Sequence, residues 1–304
     1  MASSPLRTIL AATTLTRESD AVVAAASALA RASGARLHVL HAMLLPLEYD
    51  DLPGGGGAAW PMTDAYATLE PTLRAHLDDQ LRRLAIPPES LAAAEIVDGT
   101  PWRVIRARAA AVDADLVVVG ATDKPDLSDR LLGSTATHVL AGADRPVLVI
   151  RGRPTMPPQR VLTPVDLSPL AGDAFALAGA LVAAAAGATR PTIRALFVLD
   201  PMQRTAGIQF SPEQMDRFAA DELARFVDLH RPRGDAVTIE PIVRIGQPRD
   251  AIEAEAAAWP ADVVAIGTHG YSGWDRRIFG SVAGDIAHHG PCSVLVVPAA
   301  DHRR

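Results

Sequence analysis

The fold is decided by Val263-Val264-Ala265-Ile266-Gly267-Thr268-His269-Gly270, which is followed nine residues later by Gly280-Ser281-Val282-Ala283. An apolar run, a glycine turn, a polar loop and a helix-like segment over residues 282–289 come in that order. Glycine in such a loop lets the backbone adopt φ > 0 and approach a ligand closely. Ser281 offers a hydroxyl, and the helix start offers free N–H groups and the positive end of the dipole. The stretch predicts a cradle for an anion such as a phosphate chain, although glycines that merely turn the chain would leave the same pattern.

The chain repeats itself once, which determines the architecture. Residues 114–120, 133–134, 146–150 and 99–101 each recur 147 positions later, as residues 261–267, 280–281, 293–297 and 246–248. A total of 304 residues suits two domains that each bury a core. We expect one domain over residues 1–151 (repeat one), a proline-containing linker over 152–160, and a second domain over 161–304 (repeat two).

Composition excludes several classes of function. The chain is 49% hydrophobic and 21% charged, which is typical of a globular protein, and its net charge of −6 argues against general nucleic-acid binding. The single cysteine, Cys292, is expected in a buried strand and fits a reducing, cytoplasmic compartment. The N-terminus lacks a signal-peptide pattern, and the apolar run 9–15 is too short for a membrane span. We expect no metal, because C-x2-C and H-E-x-x-H are missing and His38 and His41 point to opposite faces of a strand.

Strands and helices alternate along both repeats. The expected strands cover residues 8–12, 36–43, 95–97, 116–119, 147–150, 161–165, 192–199, 237–245, 263–267 and 293–297. The expected helices cover residues 16–33, 65–84, 102–111, 135–142, 170–186, 212–229, 249–258 and 282–289. This alternation predicts parallel sheets with right-handed crossovers, whose ligands bind at the carboxyl ends of the strands. Pro241 predicts an edge strand or a bulge, and the glycine-rich insertion 44–63 is either a lid or a surface excursion.

A second candidate element ends the first strand of repeat two, at Pro164-Val165-Asp166-Leu167-Ser168. A carboxylate at the carboxyl end of a strand can accept hydrogen bonds from a base or a sugar. Alternatively, Asp166 or Ser168 caps the helix that follows. The residues alone favour the cap.

The loop spacing G-x2-G-x9-G-S and the segment P-x-D-x-S together resemble the ATP-binding branch of the universal stress protein family. They match neither a Walker A loop nor the G-x-G-x-x-G fingerprint, and Ser281 does not stand in a G-x-S-x-G elbow. The resemblance covers nearly the whole chain, twice. It implies an α/β fold of two tandem open parallel-sheet domains, Rossmann-like and adenine nucleotide alpha hydrolase-like. They would pack as a pseudo-dimer through their short apolar last strands, which need a partner. A further homodimer stays open.

The resemblance also implies a site and a role. Asp166 would hold adenine together with backbone groups near Val198, and the loop would hold ribose and phosphates. The implied binding residues for ATP, with or without Mg²⁺, are Pro164, Val165, Asp166, Val198, Gly267, His269, Gly270, Gly280, Ser281 and Val282. No catalytic residue is implied, so a stress-response switch or scaffold with an unknown protein partner is expected, and no nucleic-acid or membrane partner. A slow nucleotide hydrolase and a ligand-free interaction module stay open as alternatives.

Repeat one departs from the pattern at two points. Thr14 stands where Asp166 stands in repeat two, and Asp123 stands where Gly270 stands. A carboxylate about 4 Å from an anion costs on the order of 1–4 kcal/mol. Gly133-Ser134 is retained, so a partial anion site is compatible with the sequence, but repeat one is predicted to bind ATP weakly or not at all. Arg276 and Arg277 either meet phosphates or form a solvated turn.

Overall fold

The computed structural model describes residues 6–43, 62–122, 131–184, 190–202, 211–232, 236–268 and 280–299, with backbone only for residues 62–68. The expected insertion lies outside these residues except for its last two. Five positions singled out in the sequence also lie outside them: Asp123, His269, Gly270, Arg276 and Arg277.

Repeat one alternates strands and helices as expected. Its elements are β1 (Thr8–Ala12), α1 (Asp20–Ser33), β2 (Arg36–Met43), α2 (Met62–Arg83), β3 (Leu91–Asp98), α3 (Pro101–Ala111), β4 (Leu116–Gly120), α4 (Ser134–Ala141) and β5 (Val147–Ile150). Helix α1 begins at Asp20 and not at residue 16, because residues 16–19 form a turn closed by the Ser19 N–H on the Thr16 carbonyl (3.2 Å). Strand β3 is longer than the expected 95–97, since its alanine-rich first half has weak strand propensity but still pairs with β2.

Repeat two has the same order of elements. They are β6 (Arg160–Val165), α5 (Pro169–Ala183), β7 (Thr192–Leu199), α6 (Pro212–His230), β8 (Thr238–Ile245), α7 (Pro248–Ala258), β9 (Val263–Gly267), α8 (Ser281–His289) and β10 (Ser293–Val297). Proline occupies the first turn of four helices, α3, α5, α6 and α7. The N–H groups of a first turn make no hydrogen bond within the helix, so the missing N–H of proline costs nothing there.

Within the described residues, the strands form one ten-stranded sheet in the order β3-β2-β1-β4-β5-β10-β9-β6-β7-β8. Neighbouring strands are parallel inside each repeat. Strand β8, which contains Pro241, lies at one edge of the sheet, as the proline predicted. The two faces are covered by different helices: α1, α2, α5 and α6 pack on one, and α3, α4, α7 and α8 pack on the other.

The two repeats join through β5 and β10, the two expected edge strands, which pair antiparallel. Leu148 lies opposite Leu295, and both side chains are fully buried. Arg151, just after β5, reinforces the junction: its N–H donates to the Ser293 Oγ (3.1 Å), and its guanidinium donates to the carbonyl of Ala287 near the end of α8. Burial lowers the pKa of Arg151.

The repeated sequence segments have identifiable structural roles. Asp115 accepts the N–H groups of Arg7 and Thr8 (2.8 and 2.9 Å), and its counterpart Asp262 accepts those of Gln159 and Arg160 (2.8 and 2.9 Å). Each carboxylate therefore anchors the start of the first strand of its repeat. The Gly-x-Pro segments supply a residue with positive φ before a helix, with φ 131° at Gly99 and 152° at Gly246. A side chain is disfavoured at such a φ.

Cys292 does not lie in a strand as expected, but in the bend that precedes β10. The residue as a whole is partly exposed, yet its side chain packs against the core. Desolvation raises the pKa of Cys292 to about 12. The cysteine thus behaves as a small apolar residue.

None of the helices in the described residues combines the length and the apolar character that crossing a membrane requires.

The junction between the repeats should carry a large part of the stability. Leu295→Ala leaves a cavity opposite Leu148, and we expect it to lower the free energy of unfolding by about 2–5 kcal/mol in urea titration. Leu229→Ala is the matched control, because Leu229 is 80% exposed on α6; its effect should stay within about 0.5 kcal/mol. Equal effects of the two substitutions would contradict a packed junction.

The thiol of Cys292 should react slowly in the folded protein, because the thiolate is the reactive form. At about pH 8.5, the ordinary pKa of a thiol, iodoacetamide should alkylate the native chain far more slowly than the urea-unfolded chain. Folding raises the pKa of Cys292, so the thiol ionises more readily in the unfolded state than in the folded state. The free energy of unfolding is therefore unaffected by this group below the pKa of the unfolded thiol, and it falls as the pH rises from there towards about 12. Equal alkylation rates in the two states, followed by mass spectrometry, would show that the thiol is solvated.

Candidate functional site

The candidate site lies at the carboxyl ends of β6, β7 and β9. Val165, the last residue of β6, pairs with Phe197, so Val198 lies one residue further along the neighbouring strand. Gly267 ends β9, and Gly280 precedes α8 as its N-cap residue. Eight of the ten predicted residues therefore lie at or beside the carboxyl ends of these strands: Pro164, Val165, Asp166, Val198, Gly267, Gly280, Ser281 and Val282. The other two, His269 and Gly270, lie outside the described residues.

The ends of the glycine loop are held together by backbone hydrogen bonds. The Thr268 N–H donates to the Val297 carbonyl (3.0 Å), and the Gly280 N–H donates to the Thr268 carbonyl (2.8 Å). These bonds place the first residues of α8 directly beside the end of β9. The exposed Ser281 is the first residue of α8, and the N-terminus of this helix offers backbone N–H donors to an anion.

Gly267 and Gly280 do not need a positive φ, which corrects the role expected for them. Gly280 has φ −57°, and Gly267 is not among the glycines with positive φ in the described residues. Close packing accounts for Gly267: a Cβ added there would lie 2.8 Å from the Cγ of Leu170, on α5. At this position a side chain is excluded by a neighbouring helix.

Ser168 and Asp166 make different contacts at the start of α5. Ser168 is the N-cap of α5, and its Oγ accepts the N–H of Ala171 (3.2 Å). Asp166 is half-buried. Its Oδ1 accepts from the N–H and the hydroxyl of Ser168 (3.1 and 2.6 Å). The carboxylate is thereby held at the carboxyl end of β6, in front of the helix start.

The same backbone turn occurs at the equivalent point of repeat one. Leu15 and Leu167 both have φ 64°, a conformation that is uncommon for leucine. Thr14 occupies the position of Asp166, and its hydroxyl contacts that of Thr16 (3.0 Å) as Asp166 contacts Ser168. Repeat one therefore keeps the turn while a hydroxyl replaces the carboxylate.

Repeat one contains a cavity of about 330 Å³ at the carboxyl ends of its own strands, between the ends of β1, β2 and β4 and the start of α4. The Gly133 N–H bonds to the Ala121 carbonyl (2.6 Å), as Gly280 does to Thr268. Sequence reasoning missed several residues that line this cavity, among them Glu18, Ser19 and His41. They could have been found by aligning the repeats, because their counterparts in repeat two are apolar.

Metal-binding groups do not gather in the part of the chain that the structure describes: it contains no cluster of three or more His, Cys, Asp or Glu side chains suited to a metal ion. The Nδ1 of His41 bonds to the Thr13 carbonyl (2.9 Å). His38 lies beside Arg108 and Arg36, and burial, followed by these two charges, lowers the pKa of His38.

Known proteins resemble each of the two repeats separately. A model of the universal stress protein family matches residues 5–151 and again residues 158–298. Universal stress protein Sll1388 of Synechocystis is 40% identical over 63 residues, which are 21% of this chain and 41% of that protein. The match thus spans less than half of the length of this relative.

Two solved structures are similar over almost the full length. A universal stress protein from Archaeoglobus fulgidus has a TM-score of 0.65 and 17% identity, covering 98% of this chain and 99% of its own. Protein PA1789 of Pseudomonas aeruginosa, described as functionally unknown, has a TM-score of 0.64 and 18% identity, covering 99% and 95%. At these identities the likeness shows the fold alone.

Gly267→Ala should destabilise the protein through its contact with Leu170. Overpacking of this kind costs about 1–3 kcal/mol, and Leu170→Ala in the same chain should recover part of the loss. A double-mutant cycle in urea measures the coupling. Gly120→Ala in repeat one is the milder control, since its added Cβ would lie 3.3 Å from the Val22 side chain. Strict additivity of the two changes would contradict the proposed contact.

Proposed function

The chain belongs to the universal stress protein family, and from this premise we propose that it is a regulatory protein of the stress response that binds ATP in repeat two. The nucleotide acts as a ligand that biases conformation or the choice of a protein partner. The proposal rests on the family resemblance of the motifs and on the geometry of one edge of the sheet.

One observation carries the proposal: a fixed carboxylate and a helix N-terminus both lie at the carboxyl ends of the strands of repeat two. Asp166 is held at the end of β6 through its contacts with Ser168. Gly280 is held beside the end of β9 through its bond to Thr268. A carboxylate accepts hydrogen bonds from an adenine amino group or a ribose hydroxyl, and a helix N-terminus favours phosphate. The two groups therefore suit the two ends of an adenine nucleotide.

The backbone on the base side also fits. Val165 and Val198 belong to neighbouring strands, and both stand at the carboxyl edge. Val165 packs in the core on the face covered by α5 and α6, and Val198 is half-buried on the opposite face of the sheet. Together they offer backbone groups at the strand ends, with an apolar side chain on either face. Ligand sites of this kind combine an apolar lining with a few placed polar groups.

Repeat one lacks the matching charge, which supports a single nucleotide site. Thr14 offers a neutral hydroxyl in place of the Asp166 carboxylate. The exposed Glu18 adds a carboxylate to the lining of the cavity, where it disfavours a triphosphate. We therefore assign ATP to repeat two only.

Calorimetric titration of Mg²⁺-ATP tests this assignment. We expect one site per chain in the wild type. Asp166→Ala removes a charged hydrogen-bond acceptor, and it should weaken the affinity at least about tenfold. Gly270→Asp, which copies the loop residue of repeat one, should do the same.

Ser168→Ala is the comparison variant. It removes the helix cap, which costs about 1 kcal/mol of stability, and the hydroxyl that donates to Asp166, but it keeps the carboxylate and the Ser168 N–H donor. ATP affinity should therefore fall less than in Asp166→Ala, and equal losses in the two variants would contradict a direct role of the carboxylate. Two sites per chain would contradict the assignment to repeat two, and no binding in any variant would leave an interaction module. Steady release of ADP would instead favour a hydrolase.

A further inference from the structure

We propose that the cavity of repeat one binds an uncharged, polyhydroxylated ligand of monosaccharide size, such as a sugar or a cyclic polyol. The inference concerns repeat one only and does not depend on ATP binding in repeat two. It rests on the cavity, on the buried network beneath it and on a set of matched positions in the two repeats.

The cavity is large enough for a small ligand and is bounded by rigid elements. Its volume is about 330 Å³, at the lower end of the range of about 300–1,000 Å³ that is usual for ligand pockets. Its lining includes the ends of β1 and β4 and the first turns of α3 and α4. A monosaccharide fits such a volume better than a nucleoside triphosphate does.

A buried hydrogen-bond network holds the rim of the cavity, residues 13–19, in place. Gln80 of α2 is fully buried; its Oε1 accepts from the Thr13 hydroxyl (2.8 Å), and its Nε2 donates to the Ser19 Oγ (3.2 Å) and the Asp20 Oδ1 (2.9 Å). The Thr13 Oγ1 also accepts the N–H of Leu15 (3.0 Å). Satisfied buried networks of this kind rigidify what they hold.

The network extends to an ion pair at its far end. Arg83 donates two hydrogen bonds to Asp20, of 2.7 and 3.1 Å, and both side chains are largely buried. These bonds lower the pKa of Asp20 against the opposing effect of burial, which is the largest single influence. The rim therefore has a fixed charged anchor, and the cavity does not depend on a ligand for its shape.

Four positions of this lining are polar in repeat one and apolar in repeat two. Thr13, Glu18, Ser19 and His41 line the cavity of repeat one. The equivalent positions of repeat two, set by the shared turn and the strand register, hold apolar residues: Val165, Leu170, Ala171 and Phe197. In repeat two this side of the site suits a flat apolar ring, whereas in repeat one it suits a ligand that makes hydrogen bonds.

The groups offered by the cavity are acceptors and hydroxyls. The Nδ1 of His41 must donate to the Thr13 carbonyl, because a carbonyl only accepts; in the neutral ring this leaves Nε2 as an acceptor. Glu18 is exposed, and hydrogen bonds from its own backbone and from Thr16 lower its pKa. Thr14, Ser134 and Thr135 add hydroxyls. A carboxylate, an imidazole acceptor and hydroxyls together suit the donor and acceptor pattern of vicinal hydroxyl groups.

The Glu18 carboxylate weighs against an anionic ligand, in opposition to the N-terminus of α4, which belongs to the same lining. The Glu18 carboxylate repels phosphates and carboxylates, whereas it accepts hydrogen bonds from neutral hydroxyl groups. A sugar phosphate or a nucleotide should therefore bind more weakly than the uncharged compound.

Ligand-observed saturation-transfer NMR on the intact chain tests the proposal, with D-glucose, D-ribose and myo-inositol as separate probes at millimolar concentration. We expect at least one of them to bind, and calorimetry to give one site per chain. Glu18→Leu copies the residue of repeat two and should weaken that binding at least about tenfold. Glu18→Gln keeps a hydrogen-bonding group and should weaken it less.

Two control variants locate the effect. Glu89→Leu makes the same chemical change at an exposed turn that precedes β3, at the opposite end of the strands of repeat one, and should leave binding unchanged. Asp166→Ala lies in repeat two and should also leave it unchanged, whatever it does to ATP. Failure of all three probes to bind, binding that survives Glu18→Leu, or binding lost in Asp166→Ala would each overturn the proposal.

Discussion

The antiparallel pairing of β5 with β10 is the interaction on which the rest of the structure depends. Each repeat alone would expose a short apolar edge strand with unpaired backbone groups. Pairing Val147–Val149 with Val294–Val296 satisfies both edges at once and turns two sheets into one. The junction is buried and apolar at its centre, where Leu148 meets Leu295, and it supplies within one chain the partner that each edge strand requires.

This single antiparallel step also determines where ligands can bind. Strands are parallel within a repeat, so the carboxyl ends of each repeat gather at one edge of the sheet. Because the strand direction reverses between β5 and β10, the carboxyl ends of the two repeats point in opposite directions. The two candidate sites therefore lie at opposite ends of the strands of the common sheet. Two bound ligands would not touch. Arg151, which follows β5, bonds across the junction to the carbonyl of Ala287 near the end of α8.

The two repeats use one backbone turn for two different chemistries. Leu15 and Leu167 share the same left-handed conformation, so the chain leaves β1 and β6 in the same direction. In repeat two the turn presents Asp166 beside apolar neighbours. In repeat one it presents Thr14 above a buried network centred on Gln80. The position of Gln80 corresponds to the buried Val227, so α6 packs there through apolar contacts where α2 makes hydrogen bonds.

The amino-acid sequence predicted the α/β class, the repeat and the bounds of β1, β2, β5, β7 and β10, because these runs are rich in apolar residues and most of them end at turn residues. It also predicted that the ends of β6, β7 and β9, where eight of the candidate residues lie, come together, since the carboxyl ends of parallel strands meet. It did not show which side chain caps α5, and it gave Gly267 a conformational role when contact with Leu170 is the constraint. The cap at Ser168 follows from the local geometry of the turn, which the residue types alone do not specify. The constraint at Gly267 and the network around Gln80 came only from the three-dimensional fold, because they depend on residues more than 60 positions apart in sequence coming into contact, as Thr13 and Gln80 do.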